Sequence, residues 1–251
     1  MATLNVRTED AVAFLELHRP QARNAINLEL IRELGVQLDA LAADDSVRAV
    51  VLSGSGDQAF ASGADLTELR ERTHREAFFA LNASLFQKLE DFPRPVIAAI
   101  EGYALGGGLE LALCCDLRVA SRTARVGLPE TTLGIYPAAG GTWRLPRLIG
   151  LGRAKELVFT GRILDAEEAY GLGLFERLTD PGQALEVATG LARQIAANAP
   201  LAVQVAKLAL NAMARTVDPG PIEKLGQGLL FDSPEKQTRM TAFLEKRGRK
   251  R

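Results

Sequence analysis

Two cysteines and two histidines in 251 residues leave few chemistries open. Cys114 and Cys115 are neighbours in the chain, and adjacent cysteines in a helix cannot close an unstrained disulfide. So low a count also argues against a small secreted scaffold stapled by disulfides. A reducing compartment follows, and the expected location is cytoplasmic. His18 and His74 stand alone, and no Cys/His cluster has metal-ligand spacing, so no metal site is expected. No apolar run approaches the ~20 residues that a bilayer requires. The opening Met1–Arg7 lacks the apolar stretch of a signal peptide, so no membrane partner is expected. Net charge is −1 and the isoelectric point about 6.2, which gives no global field for nucleic acid. Charge is concentrated only at Lys246-Arg247-Gly248-Arg249-Lys250-Arg251, with five basic residues in six. This stretch reads either as a solvated terminus or as a contact for a phosphorylated ligand or a neighbouring subunit.

What is present suits one large domain, or a domain with a small appendage. Thr3–Thr8 and Ala11–Leu17 alternate like the arms of a hairpin around Glu9-Asp10. Leu28–Ala43 carries helix spacing, with Leu30, Ile31, Leu34, Leu38 and Leu41 on one face. Ala49–Leu52 is apolar throughout, as a strand buried on both faces must be. Helices are expected from near Asp65 and over Arg75–Leu89, the latter stopped by Pro93 and Pro95. Pro95–Ile100 reads as a second buried strand, Gly102–Gly108 as a turn, and Leu109–Cys115 as a helix. Leu117–Ala120 and Ala124–Gly127 read as short strands. Strand, turn and helix thus recur through the first ~180 residues, which favours an α/β architecture, although no fixed-period repeat is visible. Beyond Asp180 helices are expected at Ala184–Ala197, Pro200–Met213, Glu223–Leu230 and Pro234–Lys246. The division expected is a core over 1–192 and a helical region over 193–251 for assembly and for covering the active site.

Three segments carry the chemistry. Gly106-Gly107-Gly108 follows a buried strand and opens a helix, where unpaired N–H groups and the positive dipole end favour an anion. The N–H of Gly107 can face a developing negative oxygen. A second donor is needed, and Ser62-Gly63-Ala64-Asp65 supplies one at Ala64. Glu110 and Glu130 lie twenty residues apart, each among small or apolar neighbours that raise a carboxyl pKa. A first-turn acid complementing its helix dipole is the plainer reading for each. Together with the two donors they read as an anion site beside a pair of proton-transfer groups, suited to chemistry at a thioester.

Ala59–Asp65, Ile97–Ala112, Cys115-Asp116 and Gly134–Leu145 resemble the signature of the enoyl-CoA hydratase/isomerase family, the crotonases. The likeness extends from Arg19-Pro20 to Phe243–Arg247. It implies a spiral of ββα units with a helical C-terminal trimerisation region, assembled as a homotrimer or a dimer of trimers. It also implies that the thioester oxygen of an acyl-CoA lies between the N–H groups of Ala64 and Gly107, with Ala22, Asp65, Leu66 and Ala138 also at the substrate. No cofactor is implied, because coenzyme A is part of the substrate. Hydratases of this family use two glutamates, here Glu110 and Glu130, so the resemblance favours reversible addition of water to a trans-2-enoyl-CoA, in fatty-acid or branched-chain acyl-CoA degradation. Three positions depart from the common pattern: Ala138 stands where glycine is frequent, Trp143 where glutamine is, and Gln21 where many relatives carry lysine near the adenine of CoA.

Other readings compete. Gly106–Ala112 and Arg147–Phe159 resemble the branch that hydrates 3-methylglutaconyl-CoA. Double-bond isomerisation needs only proton shuttling. RNA binding, known among relatives with a lysine-rich helix, finds one arginine and no lysine over Asn27–Ser46, where a basic surface is required. A catalytically silent scaffold is at odds with the intact glutamate pair. Gly54-Ser55-Gly56-Asp57-Gln58-Ala59 matches a dinucleotide fingerprint, but Ser62-Gly63 interrupts the helix that such a site demands.

Overall fold

The N-terminal alternation closes as an antiparallel hairpin in the computed structural model, which describes residues 2–71 and 81–214 together with Pro234 and Thr238. Strands β1 (Leu4–Glu9) and β2 (Val12–Leu17) pair from Leu4 opposite Leu17 to Glu9 opposite Val12. Asp10 and Ala11 between them both take positive φ, the twist a two-residue hairpin turn needs. Helix α1 (Leu28–Ala43) starts at Asn27, whose side chain accepts from the Leu30 N–H at 3.0 Å. The face foreseen from its spacing is the buried one, Leu30, Ile31, Leu34, Leu38 and Leu41. Each such side chain contributes about 1.5–3 kcal/mol when taken fully out of water.

After α1 the chain winds as a spiral. β3 (Ala49–Gly54), β5 (Val96–Ile100), β7 (Leu117–Ser121) and β10 (Arg177–Thr179) run parallel and extend the hairpin into a six-stranded sheet of order β1-β2-β3-β5-β7-β10. β4 (Ala59–Ala61), β6 (Tyr103–Leu105), β8 (Arg125–Gly127) and β9 (Ile163–Asp165) form a four-stranded sheet in that order. The pairs β3/β4, β5/β6 and β7/β8 each give one strand to each sheet before a helical segment, whereas in the last turn a helix separates β9 from β10. The helices between are α2 (Leu66–Glu71), α3 (Leu81–Glu90), α4 (Gly107–Leu113), α5 (Gly141–Ile149), α6 (Leu151–Thr160) and α7 (Ala166–Gly171). The expected helix Arg75–Leu89 is met from Leu81 onward; its earlier part lies outside the described residues. Two expectations are corrected. Gly102–Gly108 is not a simple turn, because Tyr103–Leu105 pairs with β4 and β8. The helix expected from Leu109 begins at Gly107.

The large sheet has a core on both faces. One face meets α1 and α3 through residues such as Leu15, Leu52, Phe86 and Ile100. The other is covered by α8 (Ala184–Ala196), whose Ala184, Ala188, Ala192 and Ala196 recur every fourth residue and pack on Val12, Val51, Ile97 and Val119. The division expected at 192/193 falls inside this helix, between two alanines that pack on the same sheet. Helix α9 (Pro200–Ala214) is tied back by Lys207, whose Nζ donates to Asp116 Oδ2 at 2.7 Å and to the Arg94 carbonyl at 3.0 Å. The helices expected at Glu223–Leu230 and Pro234–Lys246, and the basic tail, lie outside the described residues apart from Pro234 and Thr238.

Candidate active site

A packing constraint brings the site together. A Cβ built on Gly108 would lie 2.0 Å from the Ala61 carbonyl oxygen, so only glycine lets the start of α4 rest on the backbone of β4. That approach sets Gly107 against the loop leaving β4: a Cβ on Gly107 would stand 3.6 Å from the Ala64 nitrogen. The N–H groups of Ala64 and Gly107 therefore lie close together. Gly107 is the first residue of its helix, where the N–H has no intrahelical acceptor. Neither N–H is given to another acceptor among the described residues.

The Ala64 peptide is fixed from the opposite side. Gly63 O accepts from Ile26 N at 2.8 Å, and Asp65 N donates to Ile26 O at 2.9 Å. Arg19 Nη2 lies 3.0 Å from Asp65 Oδ2, and its Nη1 donates to Ala25 O at 2.5 Å. The hydrogen bond from Arg19 holds the Asp65 carboxyl below the ordinary aspartate range. Asn24, buried behind this loop, donates to the carbonyls of Ser55 and Ala59 at 3.0 and 2.8 Å.

Glu110, in the first turn of α4, is 3% exposed, and its Oε1 accepts the N–H groups of Ala139 and Gly141, both at 2.8 Å. Burial pushes its carboxyl upward, while these two N–H groups and the charge of Arg144 oppose the shift. Glu130 sits in a 3-10 turn, Pro129–Leu133. Its Oε1 would be 3.0 Å from a Cβ on Gly106, which takes φ +50°. The carboxyl thus lies over a glycine whose missing side chain leaves it room. Its Oε2 is buried and has no hydrogen-bond partner among the described residues. Burial raises Glu130 to about 7; its own backbone N–H opposes this, and the neighbouring Glu110 charge adds to it.

The residues expected at the site divide into two groups. Ala64, Gly107, Glu110 and Glu130 come together. Asp65 is engaged with Arg19. Ala22, in the 3-10 turn Pro20–Ala22, adjoins the same loop by accepting from Ser62 Oγ at 3.3 Å. Leu66 opens α2 with an exposed side chain. Ala138 is exposed, with its N–H unpaired among the described residues. Sequence reasoning missed the Ala139 and Gly141 donors, the bracing residues Arg19 and Asn24, and Arg144. The pair Gly140-Gly141 was the one available signal. A cavity of about 480 Å³, lined among others by Cys114, Arg144, Lys207 and Leu210, includes neither Glu110 nor Glu130.

Two neighbouring amide donors, one carboxylate held by backbone and one carboxyl that keeps its proton near neutrality define a site for acid–base chemistry beside a developing oxyanion. Comparison with known proteins agrees. Residues 7–250 match the family model described as enoyl-CoA hydratase/isomerase. The short-chain-enoyl-CoA hydratase of Clostridium acetobutylicum is 41% identical over 243 residues, 95% of this chain and 93% of that protein. The crotonyl-CoA hydratase of Syntrophomonas wolfei is also 41% identical, over 95% of this chain and 94% of its own length. A crystal structure of enoyl-CoA hydratase from Bacillus anthracis superposes with a TM-score of 0.93 at 39% identity, covering 97% of this chain and 96% of that one. The chain belongs to the enoyl-CoA hydratase/isomerase family, and its spiral is the crotonase fold.

Proposed function

We propose that this protein is an enoyl-CoA hydratase, a lyase that adds water reversibly across the 2,3 double bond of a trans-2-enoyl-CoA to give a 3-hydroxyacyl-CoA. The acyl oxygen takes the N–H groups of Ala64 and Gly107. Glu110, one oxygen already held by Ala139 and Gly141, uses the other to accept a proton from water as the water oxygen bonds to C3. The π electrons move to C2 and onto the thioester oxygen, and Glu130 gives its proton to C2. Each turnover leaves Glu110 protonated and Glu130 ionised, and transfer of one proton between them restores the start. The observation that carries this reading is the pairing of a backbone-anchored Glu110 with a Glu130 that burial and the Glu110 charge raise to about 7, beside two unpaired amides. Ala22, Asp65, Leu66 and Ala138 are assigned to substrate and CoA contacts on the same reading.

Loss of the conjugated thioester absorbance of crotonyl-CoA, and of longer and branched enoyl-CoAs, tests the activity and ranks the acyl chains. Glu110→Gln should lower turnover by at least ~10² in a protein that stays folded. Near-parental activity in that variant would remove Glu110 from its role. A 3-enoyl-CoA consumed faster than its 2-enoyl isomer would favour isomerisation instead. Residues 193–251 are proposed to serve assembly as a homotrimer or dimer of trimers, in keeping with the exposed Leu208, Leu210 and Met213 of α9. Light scattering of the purified protein decides that, and a monomer would overturn it. A cytoplasmic home fits the two buried free thiols; fractionation of the source cells tests it.

A further inference from the structure

Arg144 is a buried cation, 4% exposed, that the chemistry above does not use. From α5 its Nη1 donates to the Ala139 carbonyl at 3.0 Å, and its Nη2 donates to Glu90 Oε2 at 2.8 Å and to Gln87 Oε1 at 3.4 Å. The guanidinium carbon lies 3.9 Å from the centroid of the Trp143 ring, a contact worth about 0.5–2 kcal/mol. Gly140 takes φ +115°, and a Cβ there would overlap the guanidinium. The loop is thus shaped around this side chain. The carbonyl it grips is that of Ala139, whose own N–H, one peptide group earlier and across the same Cα, is one of the two that hold Glu110.

We propose that Arg144, clamped by Glu90, is a positioning residue for Glu110: it fixes the backbone at Ala139, whose N–H aims one carboxylate oxygen and leaves the other to the water. This rests on the reading of Glu110 as the base. The link from Glu90 through Arg144 to the Ala139 carbonyl, and from the Ala139 N–H to Glu110, is mechanical: the two peptide groups meet at the Ala139 Cα, so holding one restrains the other. The groups facing Glu110 are Arg144 from α5, Glu130 from the 3-10 turn, and Cys114 from its own helix. The Cys114 thiol donates to the Glu110 carbonyl at 3.0 Å, and burial keeps it protonated. Glu90 stands behind Arg144, on α3. The positive charge therefore favours the ionised base, and Glu90 offsets part of that effect. Orientation and charge thus pass through one side chain. A lysine would keep the charge but lose the fork that grips two partners.

The test is kcat, KM and the pH profile of kcat/KM for crotonyl-CoA in the parent, Glu110→Gln, Arg144→Gln, Arg144→Lys and Glu90→Gln, with circular dichroism as a check on folding. Arg144→Gln should lose ~10- to ~10²-fold in kcat, the scale set by a misplaced reacting group, with KM little changed. Its acid limb should rise by roughly one pH unit. Arg144→Lys should lose rate with the limb unmoved, and Glu90→Gln should lose rate with the limb unmoved or lowered. A role in packing alone gives no such opposition. Parental kcat and profile in folded Arg144→Gln overturn the proposal, as does a limb raised equally by Glu90→Gln. Should Arg144→Gln fail to fold, parental kcat in Arg144→Lys overturns it. Activity retained by Glu110→Gln overturns the base assignment and this proposal with it. A normal Arg144→Gln beside an inactive Glu110→Gln overturns the positioning role alone.

Discussion

The proposed mechanism requires Glu130 protonated and Glu110 ionised, so the rate should carry the signature of the Glu130 proton. Burial and the nearby Glu110 raise that carboxyl from 4.5 to about 7. Below that value Glu130 holds its proton; above it, each further pH unit removes about nine-tenths of the competent form. We predict that kcat/KM for crotonyl-CoA falls tenfold per unit above the limb and is lower by ~10² two units beyond it. Hydration takes up no net proton, so the ratio of kcat/KM for hydration to that for dehydration is fixed at every pH. The two directions must therefore give superposable profiles, their limbs belonging to the pair of acids rather than to one residue. Glu130→Gln should abolish the upper limb and lower the plateau by ~10²–10⁴. A flat profile from pH 6 to 9, or a limb that persists in Glu130→Gln, refutes the reasoning. The sign for stability follows from the same shift. A carboxyl raised on folding stabilises fully below its unfolded value, and that contribution is lost as pH rises through the folded value. Glu130→Gln should therefore melt above the parent at pH 8, with the difference shrinking toward pH 5. A lower melting temperature at pH 8 would contradict the burial argument.

Other substitutions probe the frame. Gly141→Ala would place a Cβ 3.1 Å from Glu110 Oε1 and 2.9 Å from Leu128 Cδ1, so kcat should fall at least ~10-fold as the carboxylate loses its seat; unchanged kcat in steady-state assay would argue against the two-donor anchor. Gly108→Ala drives a methyl into the Ala61 carbonyl and should cost about 3 kcal/mol or more, because backbone must move, with activity falling too as Gly107 leaves Ala64; urea denaturation beside the rate assay checks both. Lys207→Met strips the counter-charge from Asp116, whose carboxyl burial already raises. The loss should be about 2–3 kcal/mol at neutral pH, below the 3–5 of a fully buried pair because Asp116 is partly exposed. It should shrink in acid, where Asp116 protonates, and adding Asp116→Asn should restore part of it. A loss independent of pH would assign Lys207 to packing alone.

How far the sequence spoke depended on the range of the cause. An apolar stripe of 3.6-residue period marks α1 from local facts alone, and its observed span agrees residue for residue. The glycine run and the acid that follows were legible for the same reason. The strand Tyr103–Leu105 was not, because three residues between glycines become a strand only through partners on β4 and β8. The spiral showed no period because its large-sheet strands begin at Ala49, Val96 and Leu117, with unequal excursions between. The helices over 141–171 were missed partly because Pro146 lies inside one of them. Backbone donors are hidden by nature, since nearly every residue carries an N–H. Nothing near Arg144 in the chain marks it as a buried cation, because its partner is a glutamate 54 positions earlier.

These facts share a geometric root. Helix α4 carries both the proposed oxyanion donor and the proposed base, so the backbone spacing between Gly107 and Glu110 is set by helix geometry. What can drift is everything this helix must meet: Ala64 across the β4 contact, Glu130 over Gly106, and the loop ending at Gly141. Each of those meetings occurs at a glycine where a Cβ would press on the partner or stand close beside it. Glycine is a poor helix starter on propensity alone. Its use at 106, 107 and 108 exchanges local helix stability for close backbone approach, and the neighbouring core of Leu109, Leu111, Ala112 and Leu113 restores the helix by burial. The catalytic geometry therefore depends on packing several residues away from any reacting atom, and substitutions there should act on rate and stability together.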